Sequence, residues 1–259
     1  MDPVQIYKNA REAQYNWERR SVEERLKPLT RFRRLIADQA ADLARKIRQA
    51  TGKPTFEAIT AEVLTVADTI SYWEKRAKRL LRPQTVPTPW LLFGRRSWIE
   101  YAARGVVLVI APWNYPLQLS LIPTLAAILA GNAVVVKPSE VTSSLDSLLA
   151  ELFLDAGFPS GLVQVISGDG SVGAALVENR PDFIFFTGSV TTGKTIQKAA
   201  ATHLIPAVLE LGGKDAAIIL EDAPLQRAIS GSLWGSFTNW GQVCLATERI
   251  LVHNSLYEE

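Results

Sequence analysis

GVVLVIAPWNYPLQLSLIPTLAAILAGNAVVV, residues 105–136, contains no charged residue over 32 positions. A bilayer crossing needs roughly 20 consecutive apolar helical residues. Pro112, Pro116 and Pro123, with Asn114, Gln118 and Asn132, divide the run into pieces too short for that. It reads instead as buried strand, loop, buried helix, buried strand. The same rhythm continues downstream. VVLVI (106–110) precedes a helix near 117–130, AVVVK (133–137) one near 143–156, LVQVI (162–166) one near 171–178, and FIFF (183–186) one near 192–203; PAVLEL then leads to AAIIL. Short, continuously apolar, β-branched strands alternating with helices specify a parallel sheet covered on both faces, a doubly wound α/β domain. In such sheets ligands bind beyond the carboxyl ends of the strands. The unusual residues of this chain are expected there.

Upstream of the sheet, residues 4–50 have apolar residues at three- and four-residue intervals, among them Leu26, Leu29, Phe32, Leu35, Ile36, Leu43 and Ile47. That is the period of an amphipathic helix, which Pro28 is expected to kink or divide. TGKP at 51–54 reads as a turn, and residues 57–81 resume the helical period as packing helix. Residues 82–105 turn Pro-rich and then aromatic around Gly94, the pattern of an extended connection and a hairpin.

Composition restricts the function classes. At 259 residues and 47% hydrophobic content the chain buries a sizeable core. No charged N-region followed by an apolar core opens it, so no secretory or anchoring signal is read and a cytoplasmic location is the default expectation. Residues 1–82 carry 18 Lys/Arg against 11 Asp/Glu, whereas the remainder carries 10 against 15. The basic residues are interspersed with acids and accompany no nucleic-acid-binding motif, so solvated helix faces account for them. A single cysteine, Cys244, excludes an intramolecular disulfide and a cysteine-rich metal site. A lone cysteine is usually a small buried hydrophobe, and its alternative role is a nucleophile.

The strand ends carry the distinctive motifs. After the first comes APWNYP, whose prolines fix a turn and whose Asn114 offers a neutral amide donor. After the second comes KPSE with Lys137 and Glu140, which reads equally as a helix entry capped by Ser139 or Thr142. After the fourth comes FTGSVTTGKT, in which Gly188, Gly193, Lys194 and Thr195 satisfy the P-loop spacing between a strand and a helix. An NTPase is therefore a rival reading. Against it, no further glycine lies between Gly188 and Gly193. Amides at a helix N-terminus also serve a dinucleotide's pyrophosphate, and a dinucleotide is expected to bind here without the G-x-G-x-x-G fingerprint. After PAVLEL, Glu210 stands beside Leu211, Gly212, Gly213 and Lys214, either a carboxylate poised over a cleft or a turn with an exposed acid.

APWNYP at 111–116, KPSE at 137–140, FTGS at 186–189, ELGGK at 210–214 and GQVC at 241–244, in this order and spacing, resemble the aldehyde dehydrogenase superfamily. The resemblance covers essentially the whole chain, and the short lead before APWNYP is similar to the class 3 type. It implies a Rossmann-like cofactor domain and oxidation of a small-molecule aldehyde to a carboxylic acid through a cysteine thiohemiacetal and thioester. On this resemblance Cys244 is the nucleophile, Asn114 the oxyanion donor and Glu210 the general base, with no metal required. Trp113, Lys137, Glu140, Gly188, Ser189, Gly193 and Leu211 are the expected cofactor residues. Glu140 should accept from a ribose 2′-hydroxyl and repel a 2′-phosphate, favouring NAD with NADP as a second option.

The resemblance divides the chain into an N-terminal helical part (1–82), an oligomerisation-like arm (83–104), a cofactor core (105–243) and the start of a catalytic domain (244–259). Family members usually continue further, so the chain is expected to be an N-terminal piece lacking most of that domain. The full-length protein is expected to be a homodimer or homotetramer. A catalytically inactive binding or scaffold derivative is a further reading. Trp234 and Trp240 are candidates to line a tunnel for an apolar aldehyde, or to pack.

Overall fold

A computed structural model describes residues 2–258. Helix α1 (Pro3–Trp17) starts where the Asp2 carboxylate accepts from the Val4 amide and proline takes the first helical position. Helix α2 (Val22–Asp38) opens on a reciprocal capping box between Ser21 and Glu24, and α3 (Ala40–Thr51) ends at Gly52, whose φ of 78° is left-handed. The expected break at Pro28 does not occur. Pro28 lies buried inside α2, and the chain turns instead before Ser21 and at Gln39, because the capping box satisfies the amides of a new helix there. A short α4 (Thr55–Glu57) passes through a π-helical turn, Ala58–Val63, into α5 (Leu64–Leu81).

Strands β1 (Gln84–Val86) and β2 (Ser97–Ile99) form the antiparallel arm, with Gly94 left-handed at φ 82° near its tip. The tip is apolar and exposed in this chain, Phe93 at 98%.

The central sheet contains β3 (Val106–Ile110), β4 (Ala133–Lys137), β5 (Val163–Val165), β6 (Phe183–Gly188) and β7 (Ala207–Leu211). They are all parallel, in the order β5-β4-β3-β6-β7. The crossovers are α6 (Gln118–Leu129), α7 (Asp146–Asp155), α8 (Gly170–Glu178) and α9 (Val190–Thr202). β3 and β4 are buried almost throughout, since helices cover both faces. On one side Trp17, Phe32, Phe153 and Phe158 join α1, α2 and α7 through tilted and edge-on ring contacts at 5.2–6.4 Å between centroids. Helix α1 is tied to α6 by Trp17 Nε1 donating to the Ile128 carbonyl (2.8 Å) and to α8 by Tyr7 donating to the Leu176 carbonyl (3.0 Å). The strand order reverses between β3 and β6, which opens a crevice at their carboxyl ends.

AAIIL does not continue this sheet. Strand β8 (Asp215–Ile219) pairs in parallel with β9 (Thr247–Val252), joined by α10 (Leu225–Phe237) and a 3-10 turn, Thr238–Gly241. The backbone leaves the central sheet after β7, so residues 215–243, read with the cofactor core, lie with the second sheet. Among the described residues no helix is long and apolar enough to cross a membrane.

Candidate active site

A cleft of about 500 Å³ occupies the crevice between β3 and β6. Its walls come from the loop after β3 (Pro112 and Trp113), the loop after β4 (Lys137 to Glu140), the end of β6, and the facing flanks of α8 and α9. Lys137 is buried, and its Nζ donates to Glu140 Oε2 at 2.8 Å. That bond, with Glu140's own backbone N–H, holds the Glu140 carboxyl below the usual carboxylate range. The exposed carboxylate is thus ionised at the cleft rim, and Lys137 keeps two further N–H groups free. Ser189 caps α9 by accepting from the Thr192 amide (3.1 Å). An added Cβ at Gly188 would meet the Phe186 ring at 2.5 Å, and one at Gly193 would meet Leu211 Cδ2 at 2.7 Å. A larger residue at either position would push the Phe186 ring or the Leu211 tip aside, so both glycines suit the close approach of α9 to the strand ends, with Leu211 packed behind Gly193. Thr187 lines the cleft with a buried hydroxyl that has no partner within the protein. An orphaned donor and acceptor beside a helix N-terminus and a rim carboxylate fits a dinucleotide.

Beyond the cleft, three loops meet. The Asn114 amide donates to the Gln242 carbonyl at 2.8 Å, two residues before Cys244. The Gly213 amide donates to the Cys244 carbonyl at 2.9 Å, which brings the loop after Glu210 against the cysteine loop. Glu210 is the penultimate residue of β7, beside Thr187, and is exposed. Cys244 is exposed and free. The cysteine loop is held in an uncommon conformation: Asn239, Trp240 and Gly241 are left-handed in succession, at φ 52°, 63° and 73°. Trp113 stands between the cleft and these loops, about 40% exposed.

Two features have no counterpart in the strand-end pattern. GDGSVG at 168–173 has the G-x-G-x-x-G spacing, opens α8 directly after β5, and contributes Gly170 and Gly173 to the cleft wall. Its spacing is a plain sequence signal and corrects the expectation of a dinucleotide site without that fingerprint. The second feature is Lys53 of the TGKP turn, 1% exposed, paired with Glu62 of the π-helical turn, 0% exposed, at 2.6 Å. The segment expected to be simple packing carries a buried ion pair directly under the Asn114 loop. Burial raises the Glu62 carboxyl, and Lys53 with the Leu117 and Gln118 amides pulls the other way. Burial, with the charges of Glu57, Glu62 and Cys244, pushes the neighbouring Tyr115 hydroxyl up to about 12, so it stays protonated at neutral pH.

Residues 2–259 match the sequence pattern described as the aldehyde dehydrogenase family. The chain belongs to that family. It is 44% identical over 251 residues to 4,4'-diapolycopene aldehyde oxidase of Methylomonas sp, covering 96% of this chain and 47% of that protein. It is 38% identical over 241 residues to 4,4'-diapolycopene-4,4'-dial dehydrogenase of Cytobacillus firmus, covering 92% and 52%. Among solved structures, the NAD+ complex of an aldehyde dehydrogenase from Bacillus cereus superposes with a TM-score of 0.91 at 35% identity, covering 98% of this chain and 52% of that one. An E. coli NADP-dependent enzyme superposes at 0.93 with 31% identity, covering 99% and 53%. The chain thus spans about half the length of the curated relatives it matches.

Within the aldehyde dehydrogenase fold the P-loop reading fails on geometry. A P-loop wraps its phosphates with the residues between the glycines, yet here α9 begins at Val190 and those residues are already helical. Lys194 and Thr195 belong to the helix body, and the NTPase alternative is withdrawn.

Proposed function

We propose that this chain carries the nucleophile and cofactor cleft for the NAD(P)-dependent oxidation of an apolar aldehyde to its carboxylic acid. The convergence of the Asn114, Gly213 and Cys244 loops beside the cleft carries this reading. The Cys244 thiolate attacks the aldehyde carbonyl and forms a thiohemiacetal. Its oxyanion is stabilised by the Cys244 backbone N–H and by the second N–H of the Asn114 amide, the first being held by Gln242. Donors of this kind are worth roughly 3 kcal/mol in the transition state. A nicotinamide dinucleotide held in the cleft would supply the acceptor for the hydride that leaves the thiohemiacetal carbon, which stays on Cys244 as a thioester. Glu210 then takes a proton from the water that attacks the thioester, releasing the acid and regenerating Cys244.

Lys137 and Glu140 would hold the adenosine ribose, the amides at the start of α9 with Gly188 and Ser189 would hold the pyrophosphate, and Trp113 would border the nicotinamide. Gly193 and Leu211 fix the position of α9. The Glu140 carboxylate favours NAD, and relatives named for each cofactor keep NADP as the second substrate. The apolar aldehyde is supported by the two diapolycopene-aldehyde relatives and by Trp234 and Trp240, 70% and 68% exposed close to the cysteine loop. The exposed arm supports assembly of the full-length protein into a homodimer or homotetramer.

The test is NADH formation by the full-length protein with a long-chain alkanal and with succinate semialdehyde, against Cys244→Ser. Cys244-dependent turnover with kcat/KM at least tenfold higher for the alkanal is expected. Turnover that survives Cys244→Ser would overturn the mechanism, and preference for the semialdehyde would overturn the substrate class.

A further inference from the structure

Three acidic and basic side chains of the N-terminal helical segment reach the active-site loops, although none is near them in sequence. Lys53 Nζ donates to Glu62 Oε1 (2.6 Å) and to the Asn114 backbone carbonyl (2.8 Å). It also lies 4.3 Å from the centroid of the Tyr115 ring. The other oxygen of Glu62 accepts from the amides of Leu117 (2.7 Å) and Gln118 (3.3 Å), at the start of α6. A second branch begins at Glu57, which accepts from the Asn239 amide (3.0 Å). The Asn239 side chain then donates to the carbonyls of Asn114 (3.0 Å) and Gln242 (3.2 Å). The Asn114 carbonyl thus receives two side-chain donors, and the Gln242 carbonyl receives both Asn114 and Asn239.

Such an arrangement is more than packing requires. A buried ion pair is weak support for stability compared with apolar residues of the same shape. π-helical turns recur at functional sites, and this one supplies Glu62. The left-handed Asn239 is strained for a residue other than glycine, and its polar contacts hold it there. Every branch ends on the backbone of the Asn114 loop or of the cysteine loop.

We propose that Lys53, Glu57 and Glu62 are positioning residues that set the Asn114 amide relative to Cys244, so that its free N–H meets the oxyanion. This rests on the catalytic reading of Asn114 and Cys244 given above. Lys53 and Glu62 clamp the Asn114 loop from beneath, and Glu57 acts through Asn239 to hold the cysteine loop against it.

Two reactions of the Cys244 thiolate separate positioning from mere integrity. Attack on p-nitrophenyl acetate passes through a tetrahedral oxyanion, expels p-nitrophenolate and leaves an acetyl group on Sγ; no cofactor takes part. Attack on iodoacetamide displaces iodide from a saturated carbon and forms no oxyanion. Both rates are measured on the full-length protein for wild type, Cys244→Ser, Asn114→Ala, and the paired variant Lys53→Met with Glu62→Gln. The pair removes both buried charges, glutamine still accepts from the Leu117 and Gln118 amides, and urea unfolding checks that each variant is folded before its rates are compared. Losing a whole oxyanion donor slows the reaction by roughly 10²–10³-fold. Displacing one should slow acetylation of the paired variant by about 10- to 100-fold while alkylation stays within about twofold. Combining the pair with Asn114→Ala should give no further loss, because both act on one donor. Normal acetylation in the paired variant, equal loss in both reactions, or additivity with Asn114→Ala would overturn the positioning role. A wild type no faster than Cys244→Ser would instead overturn the catalytic reading on which it rests.

Discussion

Gly213→Ala tests how tightly the loop after Glu210 is set against the nucleophile. An added Cβ would lie 2.7 Å from the Cys244 carbonyl oxygen, against 3.4 Å for ordinary contact. The methyl would also meet the Asp215 carboxylate at 2.7 Å, but that side-chain tip is exposed and free to rotate away. The Cys244 carbonyl is backbone, so it must retreat by about 0.7 Å, which stretches the 2.9 Å bond from the Gly213 amide. That movement is transmitted to the Cys244 amide and thiolate. Misplacement by 1 Å costs on the order of 10²-fold, so acetylation by p-nitrophenyl acetate should fall by roughly 10- to 100-fold. Dinucleotide affinity, measured by fluorescence titration, should hold within about twofold, because Gly213 is absent from the cleft wall. The adjacent Gly212→Ala is the control: nothing lies within 4 Å of its added Cβ, and its rate should match wild type. Acetylation of Gly213→Ala within twofold of wild type, or an equal loss in Gly212→Ala, would refute the contact argument.

Lys53→Met alone should destabilise the fold by about 3–5 kcal/mol at pH 7, since it leaves Glu62 buried without its cation. Burial already raises the Glu62 carboxyl above its ordinary 4.5, so the folded variant takes up the proton before the unfolded chain does. Its deficit in urea unfolding should therefore shrink as the pH falls towards 4.5, and a constant deficit would contradict this sign. Glu140→Gln should lower the preference for NAD over NADP by at least about tenfold in binding titrations, because it removes the carboxylate that repels a 2′-phosphate. In the wild type that preference should hold down to pH 5, since Lys137 keeps the Glu140 carboxyl below its usual range. Leu108→Ala, at a fully buried site in the central strand, should lose about 2–5 kcal/mol in chemical unfolding without altering the rate of Cys244 alkylation per folded molecule.

The central sheet is legible because burial on both faces forces continuous apolar strands, and each of VVLVI, AVVVK and FIFF carries that signature over its own few residues. Asn114, Lys137, Glu140, Ser189 and Glu210 stand out because parallel topology gathers strand ends on one edge. The destination of AAIIL is not local information. Its apolar run suits either sheet, and the partner that takes it, β9, lies far along the chain. Pro28 misleads for the opposite reason: a strong local breaker is overridden by a capped, buried helix around it.

Lys53 and Glu62 show where periodicity runs out as a guide. Within residues 51–63 the two charges read as solvated punctuation of a turn and an amphipathic helix, since nothing local marks a lysine as buried. The partner that makes burial tolerable is nine residues away, on a π-helical turn. The chemistry they support is further still, with Asn114 61 residues beyond Lys53 and Asn239 182 residues beyond Glu57. The proposed amide and carboxylate can therefore be found by residue type at strand ends, and the proposed nucleophile as the single cysteine, in the loop before β9. The groups that aim them are typed like surface residues and become visible only once the fold has removed them from water.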